Sequence, residues 1–185
     1  ENMTTGEWLA NCSACCVPEI AGALTRARIP YSTVTGTLTD GDAAWSTLRQ
    51  WLDAARAVHD LRTARIGFLG HTYPGMLDMY SDLTQVQAQT GAHVEVLEID
   101  DLVSRVESAA SEAIERKHNE IEEVFDLAEP GSDPIAAEIT PEIFDWSARV
   151  AVGLDRLVDD FELDGLTYYY RGVGDNIAER VSAGL

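Results

Sequence analysis

At 185 residues the chain is long enough for one substantial core, or for one domain and part of another. An apolar fraction of 45% is that of a globular protein, and neither a secretory leader nor an apolar run near 18 residues is visible, so the expectation is a cytoplasmic protein without a membrane span. A formal net charge of −19 argues against nucleic acid and anionic membranes as partners, because their phosphates would be repelled.

The first periodic segment, 5–16, has Trp8, Leu9, Cys12 and Cys16 on one face, with Thr5 as cap and Glu7 in the first turn. Pro18 is expected to interrupt it and to open a second helix running to about Arg28. Residues 31–35 are β-branched and read as a strand ending at Gly36. Asp40 then opens an amphipathic helix to about Leu61, with an expected buried stripe of Trp45, Leu48, Leu52 and Ala55, widened by Trp51 and Val58.

Residues 65–102, RIGFLGHTYPGMLDMYSDLTQVQAQTGAHVEVLEIDDL, organise the rest. Residues 66–69 read as a strand buried on both faces. A loop bracketed by Gly70 and Gly75 follows, then a helical pattern through Met76, Met79, Tyr80, Leu83 and Val86 that stops at Gly91. Residues 93–99 read as a second strand, parallel to the first in a βαβ unit. Its first loop should lie at the carboxyl edge of the sheet, where ligands usually bind.

One long helical region is expected over 102–127, with its run of glutamates as a solvated face. A surface loop follows at 129–134. Thr140-Pro141-Glu142 is a strong helix start, with Ile143, Val150, Leu154, Leu157 and Phe161 on the buried side. Residues 166–170 are the last strand, with Tyr168–Tyr170 alternating between two buried faces and a sugar-stacking role for one of them as the lesser reading, and a loop at 171–174 precedes a helix over 176–185. Because the chain begins at Glu1 and ends inside that helical pattern, it reads as an excised or truncated domain. The sum is an α/β fold, an open, mostly parallel Rossmann- or flavodoxin-like sheet with helices on both faces.

Among chemistry-bearing residues, Cys12, Cys15 and Cys16 share a helical face, but no further ligand pair completes a metal motif, and buried packing of reduced thiols is the favoured reading. No G-x-G-x-x-G and no GxxxxGK[ST] is present, so nucleotide binding has little support. Asp100 and Asp101 are read as favouring a helix N-terminus rather than binding a cation. His59, His93 and His118 are read as ordinary, at a helix surface, a strand start and a helix surface. His71 and Tyr73 are the best candidates for substrate binding, since they sit on the loop at the ligand edge and offer an imidazole, a ring face and a hydroxyl. The competing reading is a loop pair that seals a domain interface.

GHTYPGMLDMYSD followed by HVEVLEIDDL, flanked by NCSACCVPEIAGALTRARIPYSTVTG and LDGLTYYYRG, resembles the L-arabinose isomerase and L-fucose isomerase-like sugar isomerases over nearly the whole chain. The resemblance implies that residues 1–64 close a preceding Rossmann-like domain, or supply docking helices plus an edge strand. It implies that 65–185 form a central α/β domain, truncated at its C-terminus. It also implies an aldose–ketose isomerase, an intramolecular oxidoreductase that uses a divalent metal, typically manganese, to hold two sugar oxygens. The metal ligands of these enzymes lie beyond the LDGLTYYYRG segment, so no residue here is assigned to metal or catalysis. The chain is then expected to supply pocket wall, through His71 and Tyr73, and subunit contacts of a homo-oligomer, and to be inactive alone. The alternative is a non-catalytic domain of flavodoxin-like type that binds a small polar ligand or a partner.

Overall fold

A computed structural model describes residues 2–10, 13–37, 42–73, 75–129, 131–132, 139–169 and 174–184. The chain divides into two compact units, Glu1–Ala55 and Arg56–Leu185.

In the first unit, helix α1 spans Thr5–Ala10. Its cap is Thr4 rather than Thr5: the Glu7 amide donates to Thr4 Oγ1, and the Thr4 amide donates back to the Glu7 carboxylate at 2.7 Å. Helix α2 spans Ser13–Arg26 and carries Pro18 inside it, so the proline does not break the chain where the sequence suggested. Little more than one turn lies upstream of Pro18, and few helical bonds depend on the amide it lacks. Cys15 and Cys16 are exposed, against the expectation of packed thiols, and Cys12 lies outside the described residues. Residues 31–35 form no strand. Tyr31 is 47% exposed, and among the described residues no neighbouring segment pairs with their backbone, a partner that β-branched composition alone cannot supply.

Helix α3 spans Ala43–Thr63 and crosses from the first unit into the second. Asp42 supports its start, accepting from the Ala44 amide at 2.8 Å; Asp40 lies outside the described residues. The stripe expected to be buried is exposed, with Trp51 and Leu52 at 54% and 61%. Periodicity shows which side chains share a face, not whether anything covers it.

The second unit holds the sheet. Strands β1 (Arg65–Leu69), β2 (His93–Leu97) and β3 (Gly165–Tyr168) are parallel and ordered β2-β1-β3. Phe68 pairs with Val96 on one side and with Thr167 on the other. Helices flank the sheet: this is the α/β architecture expected from the sequence. Helix α4 (Leu83–Thr90) connects β1 to β2; helices α5 (Ile99–Glu107), α6 (Ser111–Val124) and α7 (Pro141–Asp160) connect β2 to β3, and α8 (Ile177–Ala183) follows.

The helical pattern after β1 starts later than its apolar residues suggested. Leu77–Met79 is a single 3-10 turn, and α4 begins only where the Asp82 carboxylate takes the Thr84 and Gln85 amides. Gly91 ends it in the left-handed conformation at φ 83°, as the sequence indicated. Ile99 belongs to α5 rather than to β2, because Glu98 and Asp101 form a reciprocal capping box there. The expected long helix is two. Its chain breaks at 108–110, where Ser108 Oγ turns back onto the Ser104 carbonyl.

The core lies on one face of the sheet. Leu69 and Leu97 meet Leu102, Val106, Val150, Leu157 and Val181, all at most 1% exposed. Each such side chain contributes about 1.5–3 kcal/mol by leaving water. Gly67 belongs to the same face, since a Cβ there would fall 2.7 Å from the Leu163 and Leu166 methyls. Thr140 caps α7 as expected, accepting from the Ile143 amide at 3.3 Å, with Pro141 in the first turn. Ile143, expected on the buried side, is 48% exposed. His118 is not at a helix surface. It is half-buried, stacked on Phe144 at 4.8 Å, with a buried Nε2 that makes no hydrogen bond among the described residues and lies 3.7 Å from Asp145. Tyr168 is 46% exposed, so the tyrosine run does not alternate between two buried faces; Tyr170 lies outside the described residues.

Candidate functional site

With the strand order 2-1-3, the chain leaves β1 toward one side and returns on the other. The crevice at the carboxyl ends of β1 and β3 is therefore the topological switch point, where open α/β sheets bind ligands. The amino edge is closed by charge. Arg65 pairs with Glu95 at 2.8 Å and donates from Nε to the Phe161 carbonyl, while Asp164 accepts the Arg65 amide. His93 stands at the strand start, as expected, 3.1 Å from the same Glu95.

At the carboxyl edge Gly70 bonds the Leu97 carbonyl and turns the chain at φ 81°, which a residue with a Cβ seldom adopts. A Cβ there would also lie 3.6–3.7 Å from Ile99 and Tyr169. The turn throws His71 across the end of β3. The imidazole stacks on Tyr169 with centroids 4.4 Å apart and 28° between planes. Tyr73 meets the same ring edge-on at 5.7 Å and 71°. Tyr169 is held in turn by its amide, which donates to the Leu69 carbonyl at 3.2 Å. The two residues singled out from the sequence are thus brought together, and the residue joining them comes from the tyrosine run 168–170, for which sugar stacking is the lesser reading of the sequence.

These rings border a groove of about 650 Å³. Its floor is the second face of the sheet, with Ile66, Phe68, Val94 and Thr167; α4 gives one wall through Leu83 and Val86. Polar atoms enter at the rim from His71, Thr72, Tyr73, Asp78 and Ser81. An apolar base with a few convergent polar groups is the usual build of a small-molecule site. A smaller cavity of about 170 Å³, lined by Gly70, Ile99, Glu179 and Ser182, also touches His71 and Tyr169, so the stacked pair forms a partition between the two. The chemistry available in the groove is binding: two ring faces, an imidazole, a phenol and a carboxylate.

Among the described residues no three of His, Cys, Asp and Glu come together in a way that would hold a metal ion. Asp100 and Asp101 stand in the first turn of α5, where Asp101 accepts the Glu98 amide at 2.9 Å. No described helix is long and apolar enough to cross a membrane.

No family model matches the chain. Over 104 residues, 56% of its length, it is 30% identical to the L-arabinose isomerase of Aeromonas salmonicida (strain A449). The match spans 21% of that protein, about a fifth of the relative's length. The fold is that of an open-sheet α/β domain, and the similarity supports a distant relationship to L-arabinose isomerase.

Proposed function

We propose that this chain is a domain of a sugar isomerase acting between an aldose and a ketose, and that the groove at its switch point forms part of the wall of a sugar pocket. The observation that carries this is the convergence of His71, Tyr73 and Tyr169 at the carboxyl ends of β1 and β3, in a chain similar to L-arabinose isomerase. Aromatic faces suit the C–H side of a sugar ring. The imidazole, the Tyr73 hydroxyl and the Asp78 carboxylate suit its hydroxyls.

In this reading His71 and Tyr73 bind substrate and take no part in proton transfer. The divalent metal, manganese by expectation, is held by residues outside this chain, and a homo-oligomer completes the active site in the cytoplasm. The reaction needs a Lewis acid at the sugar oxygens and a base near the substrate carbon. Among the described residues no group of His, Cys, Asp and Glu fits the first of these.

The test is a paired assay of this polypeptide with L-arabinose and L-fucose in the presence of manganese. Saturable binding without turnover is expected, and it is lost in His71→Ala. Robust manganese-dependent turnover by the chain alone would overturn the assignment of the metal centre elsewhere.

A second reading is a binding module of flavodoxin-like type. It is favoured by one observation: the described lining of the groove lies within 66–169 and comes from the sheet, α4 and the loop between β1 and α4. Sugar binding as tight in this chain as in any longer protein that contains it would favour that module.

A further inference from the structure

We infer that Tyr169 is a positioning residue which, together with the Thr72 carbonyl, fixes the His71 imidazole in a single tautomer and presents Nε2 as a hydrogen-bond acceptor. This rests on the reading of the groove as a ligand site and assigns the atom that meets the ligand. His71 Nδ1 lies 2.6 Å from the Thr72 carbonyl oxygen. A carbonyl oxygen only accepts, so the hydrogen is on Nδ1. A neutral imidazole carries one ring hydrogen, and Nε2 is left with a lone pair. Histidine free in water prefers the opposite form, with the hydrogen on Nε2, so the protein must impose this one.

Two contacts impose it. The Thr72 carbonyl fixes the Nδ1 side, and the Tyr169 ring, 4.4 Å below, fixes the plane. Tyr169 can serve as a platform because its backbone continues the β3 ladder onto Leu69. Tyr73 closes against the edge of that platform. A loop residue is thus oriented by a sheet residue, the arrangement that lowers the ordering cost of binding. The ligand group that meets Nε2 must donate. A hydroxyl fits, whereas an acceptor-only group would face a lone pair, with the Asp78 carboxylate in the same groove.

The experiment reads the tautomer directly, in the chain without ligand, by long-range proton–nitrogen correlation of ¹⁵N-histidine-labelled protein. His71→Gln assigns the signal. Expected is the Nδ1–H form in the wild type and in Tyr169→Phe, which keeps the ring, and a shift toward the Nε2–H form in Tyr169→Ala with the circular dichroism unchanged. L-arabinose affinity should fall at least five-fold in Tyr169→Ala and stay within two-fold in Tyr169→Phe. An Nε2–H signal in the wild type, or an unchanged tautomer in Tyr169→Ala, overturns the inference. Because the tautomer is read without sugar, its failure is separate from a failure of L-arabinose to bind. Unaltered sugar affinity in Tyr169→Ala removes the positioning role while leaving the pocket reading in place.

Discussion

The carbonyl of Thr72 accepts a hydrogen bond from His71 Nδ1 at 2.6 Å, so the loop that leaves β1 fixes its own imidazole before any ligand arrives. The rest of that loop is organised around the same residue. Gly70 turns it out of the strand, Tyr169 supports its ring, and Tyr73 flanks the platform. The first prediction concerns this loop. Tyr73→Phe keeps the edge-on ring contact and removes the hydroxyl. If that hydroxyl bonds a sugar, affinity for L-arabinose falls by about 0.5–1.5 kcal/mol, roughly 2- to 10-fold, with unfolding unchanged. Calorimetric titration checks this; equal affinity would show that the Tyr73 hydroxyl makes no bond to the sugar.

The packing of α5 on α7 depends on Gly153. A Cβ at that position would lie 2.5 Å from Val106 Cγ2 and 3.0 Å from the Val106 backbone nitrogen. Backbone cannot rotate away as a side chain can. Gly153→Ala should therefore destabilise the second unit by about 1–3 kcal/mol despite its better helix propensity. Urea unfolding measures it, and a stabilised variant would contradict the close approach of the two helices.

Thr140 caps α7 through Oγ1. Thr140→Ala should cost about 1 kcal/mol, and Thr140→Ser should cost little, because serine offers the same acceptor. Equal losses in the two variants would mean that the methyl, not the hydroxyl, matters there.

Lys117 is the only lysine in the chain, and it bridges α6 to α7 through Asp155 at 2.7 Å, with Glu120 at 2.6 Å on its own helix. The hydrogen bond to Asp155, then that to Glu120, raises its pKa above the ordinary lysine value. A raised folded-state value means that the stabilisation is complete below the unfolded pKa, about 10.4, and is lost as pH climbs through the folded one. Lys117→Met should cost up to about 1 kcal/mol at neutral pH. The gap between variant and wild type should close as pH climbs through the raised folded-state value. A gap that persists in strong alkali would show that the lysine stem, not its charge, does the holding.

A net charge of −19 repels itself in the compact state. Molar sodium chloride should screen that repulsion and raise the melting temperature. A transition indifferent to salt would show that the carboxylates lie far enough apart not to interact.

What the sequence disclosed, and what it hid, follows from the range of each interaction. The β1 run, the Gly91 stop and the Thr140-Pro141 start are decided by neighbours a few residues away, and all three are where the pattern put them. The parallel pairing of β1 with β2 follows from the helix between them. Among the described residues the segment 31–35 has strand composition but no strand partner, and the apolar stripe of α3 is exposed. Composition carries no information about either. The start of α4 was misjudged because Met76 and Met79 share helical spacing with Leu83, while the cap that decides the matter is the Asp82 side chain. His71 and Tyr73 stood out through their Gly- and Pro-bounded loop. Tyr169 is only one of three adjacent tyrosines in the sequence, and which of them meets the loop is decided when β3 is laid beside β1. The one available signal was its position just past the end of the last strand, at the edge where the His71 loop emerges.

The most direct test of the pocket is a titration of the ¹⁵N-labelled chain with L-arabinose, following backbone and imidazole signals. Saturable shifts concentrated at His71, Tyr73, Asp78 and Tyr169, abolished by His71→Ala in a protein that remains folded, are the predicted result. Shifts that do not saturate, or that persist in His71→Ala, would contradict a sugar site between the ends of β1 and β3.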